Sequence, residues 1–262
     1  MVRFASLSSG SSGNCYYLSD GNVAFLIDAG IGGRTIKKRL SDLDIDFNSI
    51  GFILVTHDHV DHIKSLGLVT ERFAKPVYTT RTLHSALSRH FCTRGKMAGC
   101  VKVLEEGRPN EVCGIQVTPF EVPHDATQTV GYHIILGGES ITVMTDLGSP
   151  TDEAVHYASI ARHLVVEANY DVDMLVSGPY PQALKRRIMS DCGHLSNEQT
   201  CSLICRAANE DLKNIFLCHL SAHNNTPASA YNTVKETLGK IHSQASLYCL
   251  PRTQPSELFF LG

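Results

Sequence analysis

The amino-acid sequence predicts an α/β fold. Short apolar runs alternate with amphipathic helical stretches along the 262 residues, and this alternation is typical of layered sheets and helices. Strands followed by helices and then by further strands occur in two successive blocks. A hydrophobic fraction of 43% supplies enough side chains for a large core, although the length allows either one large domain or two small ones.

The first block contains short apolar runs that predict strands at residues 3–7, 14–18, 23–28, 52–56 and 76–79. Helices are predicted at 34–43 and 63–73. In the first of these, Ile36, Leu40 and Leu43 share one face, which indicates that the helix packs against a sheet.

The second block contains predicted strands at residues 115–122, 130–136, 140–145, 164–168, 215–218, 246–250 and 258–261. Gly137-Gly138 predicts a hairpin turn. A helix is predicted at 151–162, a second begins at the capping box of Ser196 and Gln199, and a third begins at Thr226-Pro227. This order fits either two sheets packed face to face with helices outside or one doubly wound sheet.

The composition excludes several classes of protein. No run of eighteen apolar residues exists, so no membrane-spanning helix is expected, and the N-terminal segment lacks the apolar stretch of a secretory signal. The nine cysteines show no disulfide framework, which fits the cytoplasmic location that we expect. Because the net charge is −3, any contact with nucleic acid must come from local basic patches. Two candidate patches are Arg34, Lys37, Lys38 and Arg39, and Lys185, Arg186 and Arg187.

The segment from Thr56 to His62 carries three histidines and two aspartates between a predicted buried strand and a predicted helix. Imidazole and carboxylate groups are suitable ligands for Zn²⁺, Mn²⁺ or Fe²⁺. The spacing of His57 and His59 lets both rings face one ion, while Asp61 and His62 turn towards a second. Because this run of histidines and aspartates is implausible in an apolar core, we interpret the segment as part of a metal site.

Four other ionisable residues follow apolar strands, and they supply the rest of a ligand set. They are Asp28, His124, Asp146 and His219. Because α/β proteins place their sites at the carboxyl ends of strands, we expect these side chains to converge on one cleft.

The HxHxDH segment with these four residues resembles the metallo-β-lactamase superfamily. The segments SSGSSGN, LIDAG, VTHDHVDHIKSLG, VPHDA, TDLG, GHLSN and CHLSAHNN together resemble the YycJ/WalJ (VicX) family over nearly the whole chain, and similar motifs occur in RNase Z. The resemblance implies a four-layer αββα sandwich in a single domain spanning residues 1–262. It also implies a DNA exonuclease with 5′-to-3′ polarity that uses two divalent ions, Zn²⁺ or Mn²⁺, with Fe²⁺ as an alternative.

The resemblance also implies a role for each matched residue. His57, His59 and His124 would bind one ion, Asp61, His62 and His219 the other, and Asp146 both. Asp28 would not bind an ion itself but would orient the histidine side chains. Two neighbouring cations lower the pKa of a shared water, which would make hydroxide available at neutral pH, and Asp61 would orient or deprotonate that nucleophile.

Weaker predictions concern proton transfer and substrate binding. His194 resembles the RNase Z histidine that protonates the leaving oxygen, and Glu167 resembles the carboxylate that supports it. The loop containing Ser11, Ser12 and Asn14 could present hydrogen-bond donors to phosphate, although an ordinary surface turn explains it equally well. Arg186 and Arg187 are predicted to bind the phosphate backbone, with DNA favoured over RNA as the partner. The other histidines, including His84, His90 and His133, have no placement that predicts a role.

Two other functions fit the same fold. A glyoxalase-II-like thioester hydrolase shares the HxHxDH motif, but such enzymes continue with a helical C-terminal region, whereas this chain returns to strands after His219. A non-catalytic regulatory protein would be expected to have lost ligand residues, and all seven candidates are present. The sequence predicts neither the metal's identity nor the oligomeric state.

Overall fold

A computed structural model describes all 262 residues and contains two seven-stranded sheets. The first sheet consists of strands β1 (Val2–Ser8), β2 (Cys15–Ser19), β3 (Ala24–Ile27), β4 (Phe52–Leu54), β5 (Val77–Thr80), β6 (Val101–Leu104) and β14 (Phe259–Leu261). Their order across the sheet is β14-β1-β2-β3-β4-β5-β6. The strands from β14 to β3 pair antiparallel, and those from β3 to β6 pair parallel. The N-terminal and C-terminal strands therefore meet in this sheet.

The second sheet consists of β7 (Asn110–Val112), β8 (Ile115–Glu121), β9 (Val130–Leu136), β10 (Glu139–Met144), β11 (His163–Glu167), β12 (Asn214–Cys218) and β13 (Ser246–Cys249). Their order is β13-β12-β11-β10-β9-β8-β7. The pairs from β7 to β10 are antiparallel, and those from β10 to β13 are parallel. Both sheets are thus mixed.

Nine α-helices connect the strands: α1 (Gly33–Ser41), α2 (Val60–Ile63), α3 (Leu66–Phe73), α4 (Arg81–Arg89), α5 (Asp152–Ser159), α6 (Val172–Ser177), α7 (Gln182–Ile188), α8 (Asn197–Arg206) and α9 (Pro227–Lys240). A short 3₁₀ helix lies at Phe47–Ser49. No helix is long and apolar enough to cross a membrane.

Three apolar cores separate the layers. A cluster of 24 buried residues draws on both sheets, with Phe4 and Tyr16 from the first and Tyr132 and Phe216 from the second, and it fills the space between them. Clusters of 20 and 23 residues lie on the outer faces, against α1, α3 and α4 on the first sheet and α5, α8 and α9 on the second. Three cores of similar size mean four layers, which confirms the αββα sandwich and excludes the single doubly wound sheet.

Most predicted elements are present, with boundaries shifted by up to three residues, the largest shift being at the end of α5. The capping box at Ser196 opens α8, with both of its hydrogen bonds formed. The helix predicted at 63–73 is wrong in its details, because the turn of the HxHxDH segment is itself helical as α2 and a break at Lys64–Ser65 separates it from α3. The local sequence pattern does not predict α4, β6, β7, α6 or α7.

Candidate metal centre

The candidate ligands lie where strands of both sheets end. Asp28 follows β3 and His57 lies just beyond β4, its parallel neighbour in the first sheet. Asp146 and His219 follow β10 and β12, and His124 follows β8, which runs in the same direction. Parallel strands bring their carboxyl ends to one edge of a sheet, so the fold gathers these side chains in one cleft.

The first histidine group consists of His57, His59 and His124. Their ligand nitrogens lie within 4.8 Å of one another. One ring nitrogen is already engaged in two of them: His57 Nδ1 lies 3.0 Å from Thr56 Oγ1, and His124 Nδ1 donates to the Gly193 carbonyl at 2.8 Å. The Nε2 atoms of His57 and His124 are buried and have no hydrogen-bond partner.

The second group consists of Asp61, His62 and His219, whose ligand atoms also lie within 4.8 Å of one another. Here too the Nδ1 atoms of the histidines are engaged. His62 Nδ1 lies 2.7 Å from Asp28 Oδ2, and His219 Nδ1 lies 2.8 Å from Glu167 Oε1. The Nε2 atom of His219 is buried without a partner, as in the first group.

Asp146 lies between the two groups. Its Oδ2 is 3.2 Å from His62 Nε2, and its Oδ1 is 3.2 Å from His219 Nδ1 and 3.6 Å from His124 Nε2. The carboxylate is 2% exposed, and Oδ2 makes no hydrogen bond. It is therefore the carboxylate that reaches histidines of both groups.

The unpartnered atoms indicate what this cluster binds. An unsatisfied buried polar atom costs about 1–3 kcal/mol, and four of them converge here, on His57, His124, Asp146 and His219. Divalent cations would satisfy all four at once, and mixed imidazole and carboxylate ligands suit them. Seven candidate ligands exceed the four of one tetrahedral ion, so the residues fit two.

The charges of the cluster also favour cations. Burial disfavours a charge on His62, yet Asp146 and Asp28 raise its pKa to about 10. Burial opposes ionisation of Asp146 as well, but His219 and His62 hold its pKa well below the usual value. The buried carboxylates therefore attract positive charge to the same place, whether protons or metal ions supply it.

Backbone strain and close packing occur at the same strand ends. Asp28 and His219 have φ values of 62° and 52°, in the left-handed region that side chains other than glycine seldom adopt. Such conformations persist only where the surrounding structure imposes them, and they cluster at functional sites. At Gly30 a Cβ would lie 1.6 Å from the Asp61 carbonyl oxygen, so only glycine lets the LIDAG turn approach the ligand loop.

His194 and Glu167 form a pair beside the cluster. His194 Nδ1 lies 2.7 Å from Glu167 Oε1, and the His194 ring packs against those of His124 and His219. Glu167 is fully buried, and its Oε2 accepts hydrogen bonds from the backbone of Leu147 and Leu195. Burial lowers the pKa of His194, but Glu167 outweighs this effect and raises it. The His194 side chain remains 18% exposed, so it is open to the cleft.

Comparisons with known proteins agree with this geometry. A sequence-family profile described as "Beta-lactamase superfamily domain" matches residues 24–219. Exodeoxyribonuclease YycJ of Bacillus anthracis is 32% identical over 238 residues, which cover 90% of this chain and 89% of that protein. The chain is a metallo-β-lactamase superfamily protein of the YycJ/WalJ family.

Solved structures show the same fold at much lower identity. The metallo-β-lactamase fold protein YhfI of Bacillus subtilis superimposes with a TM-score of 0.73 at 14% identity, covering 97% of this chain and 98% of that one. The short form of human tRNase Z superimposes with a TM-score of 0.61 at 16% identity, covering 84% and 93%. Family membership together with the buried cluster identifies this YycJ/WalJ-family protein as a metal-dependent hydrolase.

The predicted substrate-binding residues lie in different environments. Ser11 and Ser12 are exposed, whereas Asn14 is fully buried, with its Nδ2 2.9 Å from His62 Nε2. Arg186 is exposed on α7. Arg187 is bonded through Nε to Asp125, which places it at the rim beside His124. The structure therefore brings Arg187 and Asn14 to the site and leaves the two serines facing solvent.

The basic residues of α1 contact their own chain in this YycJ/WalJ-family protein. Lys38 pairs with Asp42 at 2.7 Å, and Lys37 Nζ lies 3.8 Å from the centroid of the Phe73 ring. Arg39 donates to backbone carbonyls of Leu7 and Thr253. These contacts account for the patch without nucleic acid.

Three residues of the site were missed in the sequence analysis. Ser9 Oγ accepts a hydrogen bond from the strained His219 amide at 2.8 Å, and Asn169 Nδ2 donates to the His219 carbonyl at 2.8 Å. Thr56 donates through Oγ1 to Asp28. Thr56 directly precedes the HxHxDH segment, so its position was a usable signal. Ser9 lies in the SSGSSGN segment, but neither its contact with the His219 backbone nor that of Asn169 is visible in the sequence, because His219 is distant along the chain from both.

Proposed function

We propose that this protein is an exodeoxyribonuclease that binds two divalent metal ions and degrades DNA with 5′-to-3′ polarity. The observation that carries the proposal is the match to exodeoxyribonuclease YycJ across 90% of the chain, in which the unpartnered histidine and aspartate atoms form one buried cluster. The 5′-to-3′ polarity is proposed from the family resemblance alone.

The proposed ligand sets follow the two groups. His57, His59 and His124 would hold one ion, Asp61, His62 and His219 would hold the other, and Asp146 would contribute to both. When bound, two such ions make hydroxide available at neutral pH and neutralise charge on phosphate oxygens. Zn²⁺ and Mn²⁺ are the ions favoured by the donor set, with Fe²⁺ as the alternative.

The chain's own residues position the reaction and move protons. Asp28 fixes the ring of His62, and Glu167 fixes those of His219 and His194. Asp61 is partly exposed at the cleft and orients or deprotonates the attacking nucleophile. His194 donates a proton to the departing sugar oxygen, since Glu167 holds its Nδ1 proton and favours the charged ring.

The test is a metal-dependent activity screen. Metal-stripped protein is reloaded with Zn²⁺ or Mn²⁺ and offered single-stranded DNA, duplex DNA, RNA and S-lactoylglutathione. DNA labelled at the 5′ or the 3′ end reports the polarity. We expect hydrolysis of DNA only in the reloaded protein, with single nucleotides released from the 5′ end, and no activity in Asp146→Asn.

The outcomes separate the alternatives. Hydrolysis of the thioester without cleavage of DNA would establish the glyoxalase-II-like function instead. Binding of metal with no activity on any substrate would favour the non-catalytic regulatory protein. Release from the 3′ end would leave the nuclease proposal standing and overturn its polarity.

A further inference from the structure

A cavity of about 320 Å³ adjoins the metal centre on the side of His59. Besides His59, its lining includes Asp58, Val60, His90 and Asp125. This volume lies at the lower end of the range of about 300–1,000 Å³ typical of small-molecule sites. Since His59 belongs to the first ligand group, a molecule in this cavity would touch the metal centre directly.

An aromatic pair lies at this cavity, since His90 belongs to its lining and Phe91 packs against His90. His90 and Phe91 follow α4, and their ring centroids lie 4.5 Å apart. The segment is held in place, because His90 Nδ1 accepts from the Cys92 amide at 3.2 Å and Thr93 Oγ1 donates to the Leu87 carbonyl. Phe91 is nevertheless 69% exposed, and Val60 beside His59 is 42% exposed. An exposed aromatic ring, held in place by its own segment, therefore lies beside the lining residue His90 of the cavity.

Two lysines lie near Cys92, the residue that follows Phe91 in the chain. Lys64 lies one turn after Val60, with its amide bonded to the Val60 carbonyl, and its side chain is exposed. Lys96 Nζ lies 3.5 Å from the Cys92 carbonyl, just beyond Phe91. Gly67 makes this approach possible, since a Cβ there would lie 2.2 Å from the Cys92 carbonyl oxygen. Positive charge thus adjoins the exposed ring.

The acidic groups of the cavity are already engaged. Asp58 accepts hydrogen bonds from the backbone and the hydroxyl of Thr127, and Asp125 is bonded to Arg187. These carboxylates are therefore partly satisfied by groups of the same rim, while neither Lys64 nor Lys96 forms an ion pair within the chain.

From this arrangement we propose that the cavity is a subsite for one nucleotide of a single strand. The unpaired base stacks on Phe91 and His90, and the adjoining backbone phosphate lies against Lys64 and Lys96. Aromatic side chains beside basic ones are the usual means of binding single strands without sequence preference, because every base offers a flat face. This inference rests on the proposed nuclease function. It places the DNA strand on the side of the metal centre where His59 lies.

The first test removes the ring. Phe91→Ala should raise KM for single-stranded DNA about tenfold, as expected for loss of one stacked base, with kcat unchanged at saturation. Hydrolysis of bis-para-nitrophenyl phosphate, which has no base to stack, should be unaffected. The matched control is Phe260→Ala, since Phe260 is 62% exposed on the edge strand β14. A KM equal to that of the wild type in Phe91→Ala would overturn the subsite.

The second test detects binding without catalysis. The chain contains no tryptophan, so Phe91→Trp introduces a single tryptophan, whose fluorescence can be excited apart from that of the nine tyrosines. A phosphorothioate single-stranded oligonucleotide, which resists hydrolysis, should quench the metal-replete variant, and an abasic phosphorothioate strand should quench it much less. Phe260→Trp should respond to neither. Equal quenching by the two strands, or equal responses of the two variants, would show that no base stacks at Phe91.

The lysines have their own measurement. Lys64→Ala with Lys96→Ala should reduce the salt dependence of oligonucleotide binding, whereas Lys235→Ala on α9 should not.

Failure of the subsite and failure of the nuclease function remain distinguishable. If the wild type cleaves DNA and Phe91→Ala behaves identically, only the subsite is overturned. If the wild type cleaves no DNA at all, the proposed function itself is wrong.

Discussion

At the scale of single residues, the cluster follows a common rule for metal-binding histidines. His62, His124 and His219 each have Nδ1 engaged by a carboxylate or a backbone carbonyl, which leaves Nε2 directed at the centre. Such outer partners fix the ring and its tautomer and commonly change metal affinity about 10- to 100-fold when removed. Asp28 and Glu167 are therefore as much a part of the site as the ligands they hold.

The first residue-scale prediction concerns His194. Expulsion of a sugar alkoxide benefits from a proton in the transition state, and a positioned histidine supplies about a hundredfold or more. His194→Ala should therefore lower cleavage of DNA by about that factor. Hydrolysis of bis-para-nitrophenyl phosphate should be largely spared, because its nitrophenolate leaves without a proton.

His219→Ala is the comparison for that experiment. It should damage both reactions, because His219 belongs to the ligand group and its Nε2 is unpartnered. If His194→Ala damaged both reactions equally and also lost metal, His194 would be a ligand, and the proposed division of roles would be wrong.

The second residue-scale prediction concerns stability in acid. His133 is buried on β9, and burial, with a smaller effect of His156, lowers its pKa to about 4. The folded protein therefore binds this proton more weakly than the unfolded chain. The stability contributed by neutral His133 is complete above the unfolded pKa of about 6.5 and is lost as the pH falls towards 4.

The variant His133→Asn separates this effect from other acid-sensitive groups. Thr142 Oγ1 donates to the Tyr157 carbonyl, so it accepts from His133 Nδ1, and an asparagine amide can replace that donor without titrating. Urea unfolding at several pH values should show a shallower loss of stability between pH 6.5 and 4 in the variant. Parallel profiles for the two proteins would assign the acid sensitivity elsewhere.

At the scale of elements, the strand ends were predictable and several connections were not. The apolar runs before Asp28, His57, Asp146 and His219 predicted their strands because each run is buried and ends at a polar residue. In β6, by contrast, Val101 and Val103 are exposed, and α4 buries His84 among its apolar residues. Such elements depend on packing partners far away in sequence, and local patterns do not reveal those partners.

One element-scale prediction concerns α7. Arg186 and Arg187 lie in its last turn, and the Arg187 bond to Asp125 holds that turn beside the ligand His124. If both arginines contact backbone phosphate, Arg186→Ala with Arg187→Ala should lower the slope of log affinity against log salt by about 0.7 per lost contact on single-stranded DNA. Lys235→Ala with Lys240→Ala, on α9, is the charge-matched control. An unchanged slope would make the α7 patch an ordinary solvated helix face.

At the scale of the whole molecule, the sequence alone left two sheet arrangements open. Residues such as Phe4 and Phe216 belong to different sheets and meet in the central core, and periodicity cannot show which faces meet. The resemblance to a known family supplied that information, and the structure confirmed it. Assignment of residues 1–262 to a single domain remains a prediction, and one cooperative unfolding transition would support it.

The last prediction links the metal centre to the stability of the whole fold. The three apolar cores lie within and between the layers, whereas the ligands lie at one edge, in the short helix α2 and in loops that follow strands, so the fold should survive loss of the metal. Metal-replete protein should contain two equivalents by elemental analysis. Chelation should lower the melting temperature and leave the far-ultraviolet circular dichroism unchanged. The melting temperature falls because an ion at a free concentration of a hundred times its Kd stabilises the folded state by about 2.7 kcal/mol.

His59→Ala tests whether the fold depends on the metal centre by removing a candidate ligand instead of the metal. The His59 side chain is 31% exposed, so its removal leaves little cavity, and the variant should fold, lose activity and retain about half the metal. A wild-type content of one equivalent or less would contradict the two-ion centre. Unfolding of His59→Ala, or of the chelated wild type, would mean that the cluster holds the two sheets together, and the apolar cores would then be insufficient for the fold.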